Sequence, residues 1–459
     1  MSRAFNYQGK RVLVIGMARS GVQAAHLLIR HGALPVLNDI KRRDAFGTAL
    51  DSLNDQPVEW RLGEDPVKLL DEADALIISP GVPIDSPAVL EAQKRGIYMA
   101  GELELAAQFA EGTLIGITGT NGKTTTVTLL DTMFKEAGMS SWLSGNIGTP
   151  FSLVAQSARP GDMLVTEVSS FQLESIDTFH PRAAAVLNVT EDHLIRHYTM
   201  KCYIAMKRRI FENQKAGDLA VLNRDDPICV SMAEGLKARI AWFSRKGEVE
   251  QGAFVRDGQL TVRLDGNEWA LLPVEEIGIP GPHNLENAMA AAVIAMDLNV
   301  PPEAAARTLR AFKGVEHRIE FVRELDGVRY INDSKGTNPD STVKAVDTMN
   351  RPTVLILGGY DKHVSFEPLA RHIAESPQIA ELVIIGATKE QLRRELAAAG
   401  TVTPHEAETF EDAVTLCRQL AKPGWNVLLS PACASFDMFT CFEERGERFK
   451  AIVNGWTGA

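Results

Sequence analysis

Long apolar runs are missing from this chain of 459 residues. Nothing in it approaches the ~20 consecutive apolar residues needed to cross a bilayer. The first residues, Met1-Ser2-Arg3-Ala4-Phe5-Asn6-Tyr7, carry no apolar core of the kind a secretory leader has, so membrane insertion and export are not expected. Cysteine is scarce: five residues, Cys202, Cys229, Cys417, Cys433 and Cys441, with no CxxC pair. That argues against a disulfide framework or a structural zinc site and fits a reducing cytoplasm. An excess of basic residues is also lacking. Lys and Arg number 48 against 59 Asp and Glu, a net charge of -11. Non-specific nucleic-acid binding, which relies on a positive field, is therefore not expected. With 36 Gly and 22 Pro the chain is too poor in both to be disordered or fibrous. What remains is an ordinary globular composition, 45% apolar and 23% charged. At ~150 residues per domain the length predicts about three domains.

The apolar residues come in short runs, each ending in a turn residue. Arg11-Val12-Leu13-Val14-Ile15 ends at Gly16, and a helical pattern follows from Ser20 to His31. Leu34-Pro35-Val36-Leu37 leads to Asn38-Asp39, and Ala75-Leu76-Ile77-Ile78 leads to Ser79-Pro80-Gly81. Such runs predict a parallel sheet covered by helices on both faces, with ligands beyond the carboxyl ends of the strands. A second block begins near Glu104, with strands expected at 113–117, 163–167, 184–188 and 219–223. Within 251–273, Asp257-Gly258 and Asp265-Gly266-Asn267 punctuate alternating runs, which predicts a small antiparallel meander. A third block starts near Val315, with strands expected at 328–331, 353–357, 382–385 and 426–429. The fold class is thus α/β: a Rossmann-like N-terminal domain (1–103), a central P-loop ATPase-like parallel sheet with the meander (104–314), and a Rossmann-like C-terminal domain (315–459).

Gly119-Thr120-Asn121-Gly122-Lys123-Thr124-Thr125 follows a predicted strand and opens a predicted helix. Glycines let backbone N–H groups curl around phosphate oxygens, and the helix N-terminus adds partial positive charge. Lys123 would reach the terminal phosphates and the Thr124 hydroxyl would ligate Mg²⁺. The spacing departs from GxxxxGK[ST], because position 117 is Ile and Gly116 lies one residue early. Glu167 ends a neighbouring strand, where a carboxylate suits Mg²⁺. Asn188-Val189-Thr190-Glu191-Asp192-His193 ends the next and brings His193 to the same edge. Lys207-Arg208-Arg209 reads by default as a solvated helix face. Gly16-Met17-Ala18-Arg19-Ser20-Gly21 lacks the middle Gly of a dinucleotide fingerprint; with Asp39 it suits a nucleotide diphosphate better than a nicotinamide. In the last third, 332–338, 358–362 and 430–436 are polar clusters after strands, which together predict a site for a carboxylate ligand at one sheet edge.

Taken together these motifs resemble the Mur ligase family, ATP-dependent amide ligases of peptidoglycan synthesis, over essentially the whole chain. Glu167-Val-Ser-Ser-Phe-Gln-Leu173, Asn188-Val-Thr-Glu-Asp-His193 and Ser430-Pro-Ala-Cys-Ala-Ser435 most resemble its D-glutamate-adding branch. The Asp-Asn-Pro-Arg tetrapeptide of the diaminopimelate-adding branch is absent. The resemblance implies that Gly119, Thr120, Asn121, Gly122, Lys123, Thr124, Thr125, Asn284, Asn287, Arg318, Asp333 and Lys335 face ATP. It implies Thr124, Glu167, His193 and a carbamylated Lys207 around two Mg²⁺ ions, which reverses the solvated reading of Lys207. Lys123, Glu167, His193 and Lys207 would be the catalytic set. Ser20, Gly21, Asp39, Ser79, Gly81 and Asn146 would hold the UDP-sugar, UDP-N-acetylmuramoyl-L-alanine. Thr337, Lys362, Ser435, Phe436 and Phe442 would surround D-glutamate. Ile195 stands where many relatives carry Asp, and 197–203 departs from their pattern. A cytoplasmic monomer is expected, without nucleic-acid or membrane partners. Two other readings stay open here: a ligase of the same type for a different amino acid, and a nucleotide-switched binding module without ligase activity. A nicotinamide dehydrogenase is a distant third.

Overall fold

The continuous apolar runs become interior strands, because each has a helical layer on both sides to bury alternate residues against. The computed structural model describes residues 5–146, 148–361 and 364–458. The first sheet consists of β1 (Arg11–Ile15), β2 (Leu34–Asn38), β3 (Glu59–Trp60), β4 (Ala75–Ile78) and β5 (Tyr98–Gly101), all parallel in the order β3-β2-β1-β4-β5. Val12, Val14 and Ile77 belong to one core, while Leu13, Ile15 and Leu76 belong to another. The strand order switches sides between β1 and β4, so Gly16 and Ser79 meet at the carboxyl ends, where such sheets bind ligands.

The second sheet has nine strands: β6 (Thr113–Thr118), β7 (Ser141–Gly145), β8 (Met163–Glu167), β9 (Ala183–Val186), β10 (Leu219–Asn223), β11 (Arg239–Ser244), β12 (Gly252–Arg256), β13 (Gln259–Leu264) and β14 (Asn267–Pro273). Their order is β14-β13-β12-β11-β10-β9-β6-β8-β7. β7 to β12 pair in parallel and β12, β13 and β14 form the expected meander. Its turns have positive φ at both central residues, 50° and 75° at Asp257-Gly258 and 49° and 81° at Asp265-Gly266, the geometry two-residue hairpins need. β7 and β11 were not anticipated. The polar residues of β7 disguise it, because an edge strand need not bury both faces.

The third sheet holds β15 (Glu320–Leu325), β16 (Val328–Asn332), β17 (Thr353–Gly358), β18 (Ile379–Ile385), β19 (His405–Glu406) and β20 (Asn426–Leu429), in the order β15-β16-β20-β17-β18-β19. Only β15 is antiparallel, a half-exposed edge strand whose mixed sequence gives no apolar run. Leu355, Leu357 and Leu428 pack on one face of this sheet, and Val354, Ile356 and Val427 on the other. The chain forms two compact units. One runs to Ile277 and includes Leu285–Ala311; the other comprises Gly278–Asn284 and the chain from Phe312 onward. Among the described residues no helix is long and apolar enough to cross a membrane.

Candidate active site

The phosphate loop leaves the end of β6 and turns into the helix Lys123–Glu136. It needs glycine twice, with φ 152° at Gly119 and 86° at Gly122. The loop is stitched to the segment after β9. The N–H of Thr120 donates to the Asn188 carbonyl (2.9 Å), and that of Asn121 to the Asn188 side-chain oxygen (2.9 Å). Lys123 curls back over its own loop, Nζ donating to the carbonyls of Gly119 (2.9 Å) and Thr120 (2.8 Å). That is where a cation can meet a phosphate chain. Thr125 is buried beside it, its hydroxyl without a hydrogen-bond partner.

Thr124 and Glu167 come together at the base of the loop, Oγ1 donating to Oε2 at 2.7 Å. Both are nearly fully buried. A hydroxyl and a carboxylate side by side are hard oxygen donors of the sort Mg²⁺ takes, so the residues fit the ion. Asn146 donates from Nδ2 to the other carboxylate oxygen of Glu167 (2.9 Å), so it stands at the phosphate end rather than in the first sheet. Lys207 overturns the default solvated reading: it is 2% exposed. Its Nζ donates to the Gly119 carbonyl (2.9 Å) and lies 4.4 Å above the Tyr203 ring. Burial, seconded by the charge of Lys123, pulls its pKa well below the ordinary lysine value. Tyr203 in turn shares a hydrogen bond with Thr120 through its hydroxyl (3.2 Å). His193 has φ 56°, and its ring packs edge-on against Phe171 with centroids 4.8 Å apart. Sequence reasoning missed His197. It is buried, bonded to Ser170 Oγ (2.9 Å), and burial lowers its pKa from 6.5 to about 4.

Asn287 touches the same loop, because Thr126 Oγ1 donates to its Oδ1 at 3.4 Å. Asn284 donates from Nδ2 to the Pro280 carbonyl (2.7 Å). In the first sheet, Asp39 closes the β1 turn by accepting from the Met17 N–H (2.8 Å), and Ser79 Oγ donates to the Gly16 carbonyl (2.6 Å). Gly21 allows the helix Arg19–Arg30 to approach, since a Cβ there would lie 1.9 Å from the Gly16 oxygen. Ser20 is half-buried at the start of that helix and Gly81 is exposed.

In the C-terminal unit, Asp333 is buried at the end of β16. Its carboxylate accepts from Ser430 Oγ (2.7 Å) and the Ile319 N–H (3.2 Å); burial pushes its pKa up to about 6 against the opposing pull of Arg318. Arg318 Nε is buried without a hydrogen-bond partner. Lys335 Nζ lies 5.0 Å over the ring of Phe442. The Thr337 N–H donates to the Lys335 carbonyl (2.9 Å). Ser435 Oγ is buried and has no hydrogen-bond partner, whereas Phe436 is 65% exposed beside Tyr360. Lys362 lies outside the described residues. Arg445 was not anticipated. Fully buried, it donates from Nε to Ser334 Oγ (2.9 Å) and from Nη2 to the carbonyls of Ser334 (2.8 Å) and Cys433 (3.0 Å). It thereby ties the 334 and 433 loops together, and burial draws its pKa down to about 10.

A phosphate loop with a hydroxyl–carboxylate pair at its base, on a parallel sheet flanked in sequence by two further α/β sheets, defines a multidomain nucleotide-dependent enzyme. Comparison with known proteins narrows the class. Residues 10–101 match the Mur ligase MurD-like N-terminal domain, 117–295 the Mur ligase middle domain, and 317–433 the Mur ligase glutamate ligase domain. A UDP-N-acetylmuramoylalanine--D-glutamate ligase of Pelotomaculum thermopropionicum is 46% identical over 98% of this chain and 98% of its own. One from Clostridioides difficile is 43% identical over 97% and 99%. Among solved structures, MurF from Acinetobacter baumannii shares the fold with a TM-score of 0.62 at 17% identity, covering 97% of this chain and 91% of that one. The chain belongs to the Mur ligase family.

Proposed function

We infer that this protein is an ATP-dependent ligase that adds D-glutamate to UDP-N-acetylmuramoyl-L-alanine in peptidoglycan precursor synthesis. The reading is supported by full-length identity above 40% to ligases named for that reaction. The observation that carries its chemistry is the loop at 119–124, with Thr124 bonded to Glu167 and Lys123 laid across the loop carbonyls. The γ-phosphoryl group passes from ATP to a carboxylate oxygen of the acceptor, breaking the bond to ADP. The D-glutamate amine then attacks the acyl carbon and loses its proton, and the tetrahedral intermediate expels orthophosphate. Lys123 and the loop N–H groups offset the repulsion between ATP and the acceptor carboxylate.

Thr124, Glu167 and His193 are the residues we assign to Mg²⁺, which when bound neutralises charge on the phosphates. A carbamylated Lys207 completes the assignment with a second ion. Its amine is buried and its cation disfavoured, so the neutral amine has a free lone pair to form the N–C bond to CO₂, releasing an N–H proton and leaving an anionic carbamate. Asn284, Asn287, Arg318, Asp333 and Lys335 are assigned to ATP. Ser20, Gly21, Asp39, Ser79, Gly81 and Asn146 are assigned to the UDP-sugar, and Thr337, Lys362, Ser435, Phe436 and Phe442 to D-glutamate. Domain boundaries at 103/104 and 314/315, a cytoplasmic location and a monomeric state belong to the same reading.

Oxygen-18 in the acceptor carboxylate tests the reaction. One label is expected in the released orthophosphate, and a D-glutamyl product is expected by mass spectrometry. Unlabelled phosphate would overturn the acyl-phosphate step. Phosphate release with L-Ala, L-Lys or diaminopimelate in place of D-glutamate would overturn the amino-acid assignment.

A further inference from the structure

A cavity of about 430 Å³ opens at the amino ends of β6, β9 and β10, the end of the sheet remote from the phosphate loop. Its lining is partly apolar, with Ala107, Ala110, Leu114 and Leu164, and partly polar, with His180, Arg182 and Asp218. Its size lies within the ~300–1,000 Å³ of small-molecule sites, and apolar lining with a few fixed polar groups is their usual make-up.

The polar lining is unevenly satisfied. Asp218 is turned to fixed donors: Oδ2 accepts from His180 Nε2 (2.6 Å) and the Lys215 N–H (2.6 Å). Arg182 is different. Its Nη1 is buried and makes no hydrogen bond. Its ion-pair partner, Asp297 Oδ2, is 3.6 Å away, too far for one. The other oxygen of Asp297 accepts from Arg239 Nη2 at 2.5 Å. Nη1 is thus enclosed against Asp297, while the side chain as a whole is 37% exposed and its Nε and Nη2 make no hydrogen bond among the described residues. Those two N–H groups form one planar fork of the guanidinium, which matches the two oxygens of a carboxylate.

We propose that this cavity is a second ligand site, separate from the reaction centre, that binds a small organic carboxylate with an apolar body. The carboxylate is received by Arg182 and the body lies against Ala110 and Leu164. The strands whose amino ends form the cavity carry the phosphate loop and Asn188 beyond their carboxyl ends. Thr178, in the cavity wall, also donates to the buried Glu104. An occupant thus bears on elements that hold the site without touching ATP.

Benzoate is the probe, titrated calorimetrically into the full chain with and without saturating ADP. Saturable one-site binding is expected in both, in the millimolar range or tighter. Arg182→Gln is expected to weaken it by about tenfold or more, the scale of 1.4 kcal/mol, and the neutral isostere benzamide not to bind. Ala110→Leu, which fills space at the apolar lining and leaves the charges alone, is expected to abolish it and decides the matter if Arg182→Gln fails to fold. The proposal is overturned by an absence of saturable binding or by undiminished binding to either variant. Displacement by ADP, or inorganic phosphate binding as tightly as benzoate, overturns it too.

Discussion

At Gly122 the phosphate loop has no room for a methyl group. A Cβ there would lie 2.2 Å from Asn287 Oδ1, at a backbone φ of 86° that side chains rarely adopt. Gly122→Ala is expected to cost about 1–3 kcal/mol of stability in strain and to raise the KM for ATP, read by denaturant titration and by kinetics. Lys123→Ala is expected to behave oppositely. It abolishes product formation and shifts the denaturant midpoint little, because the Gly119 carbonyl that Lys123 leaves still accepts from Lys207 Nζ. Arg445 belongs with the structural group. Arg445→Met strands the Ser334 and Cys433 carbonyls in a buried setting and is expected to cost roughly 3 kcal/mol, with a raised KM for D-glutamate. Lys123 and Thr124 were legible because their chemistry is written in consecutive residues. Arg445 was not, since one of its partners is 111 residues away and the only local sign is an arginine in an amphipathic helix. Lys207 was legible only through family resemblance, as Lys-Arg-Arg does not say which member turns inward.

The helix Leu194–His197 and its surroundings follow from one neutral imidazole. His197 faces Ser170, Glu174, Phe171 and Tyr203, with His193, Arg196 and Lys207 as the neighbouring cationic groups. Burial and those cations lower its pKa from 6.5 to about 4. The unfolded chain therefore binds the extra proton over that window, and the folded protein loses stability as pH falls from 6.5 towards 4, by up to about 3 kcal/mol. His197→Gln removes this dependence, so the stability gap between wild type and variant should narrow from pH 7 to pH 4 in urea titrations. A constant gap would refute the assignment. The helix Glu102–Phe109 shows the converse, a buried acid that is fully served. Glu104 accepts from the N–H groups of Asp177, Thr178 and Phe179, each at 2.9 Å. Such a carboxylate is invisible in sequence, because the backbone donors that serve it lie 73 to 75 residues further along the chain. The elements that were legible, β1, β4, β6 and β17, are those whose side chains are buried on both faces and so leave an unbroken apolar run. Edge strands β3, β7, β15 and β19 leave none.

Over the whole molecule, three blocks of strand–helix alternation became three sheets, because each run of βα units has to close its own two-sided core. Compactness is a different property, and the periodicity did not carry it: the first two sheets fall in one unit and the third in another. The third sheet has both of its cores made from residues beyond Ile319, with Leu355, Leu369 and Leu392 on one side and Val354, Phe410 and Phe449 on the other. Apolar burial on both faces is the main favourable term in folding a domain of this size. A fragment beginning at Phe312 is accordingly expected to fold by itself, with a single cooperative urea transition and native-like near-ultraviolet dichroism. It should be less stable than the same unit in the full chain, because it lacks Gly278–Asn284, in which a Cβ at Gly281 would already meet Thr348 Cγ2 at 2.7 Å. It should bind no ATP, since the loop at 119–124 is left behind. An expanded, dye-binding fragment without a cooperative transition would show instead that the six-stranded sheet cannot close its core unaided.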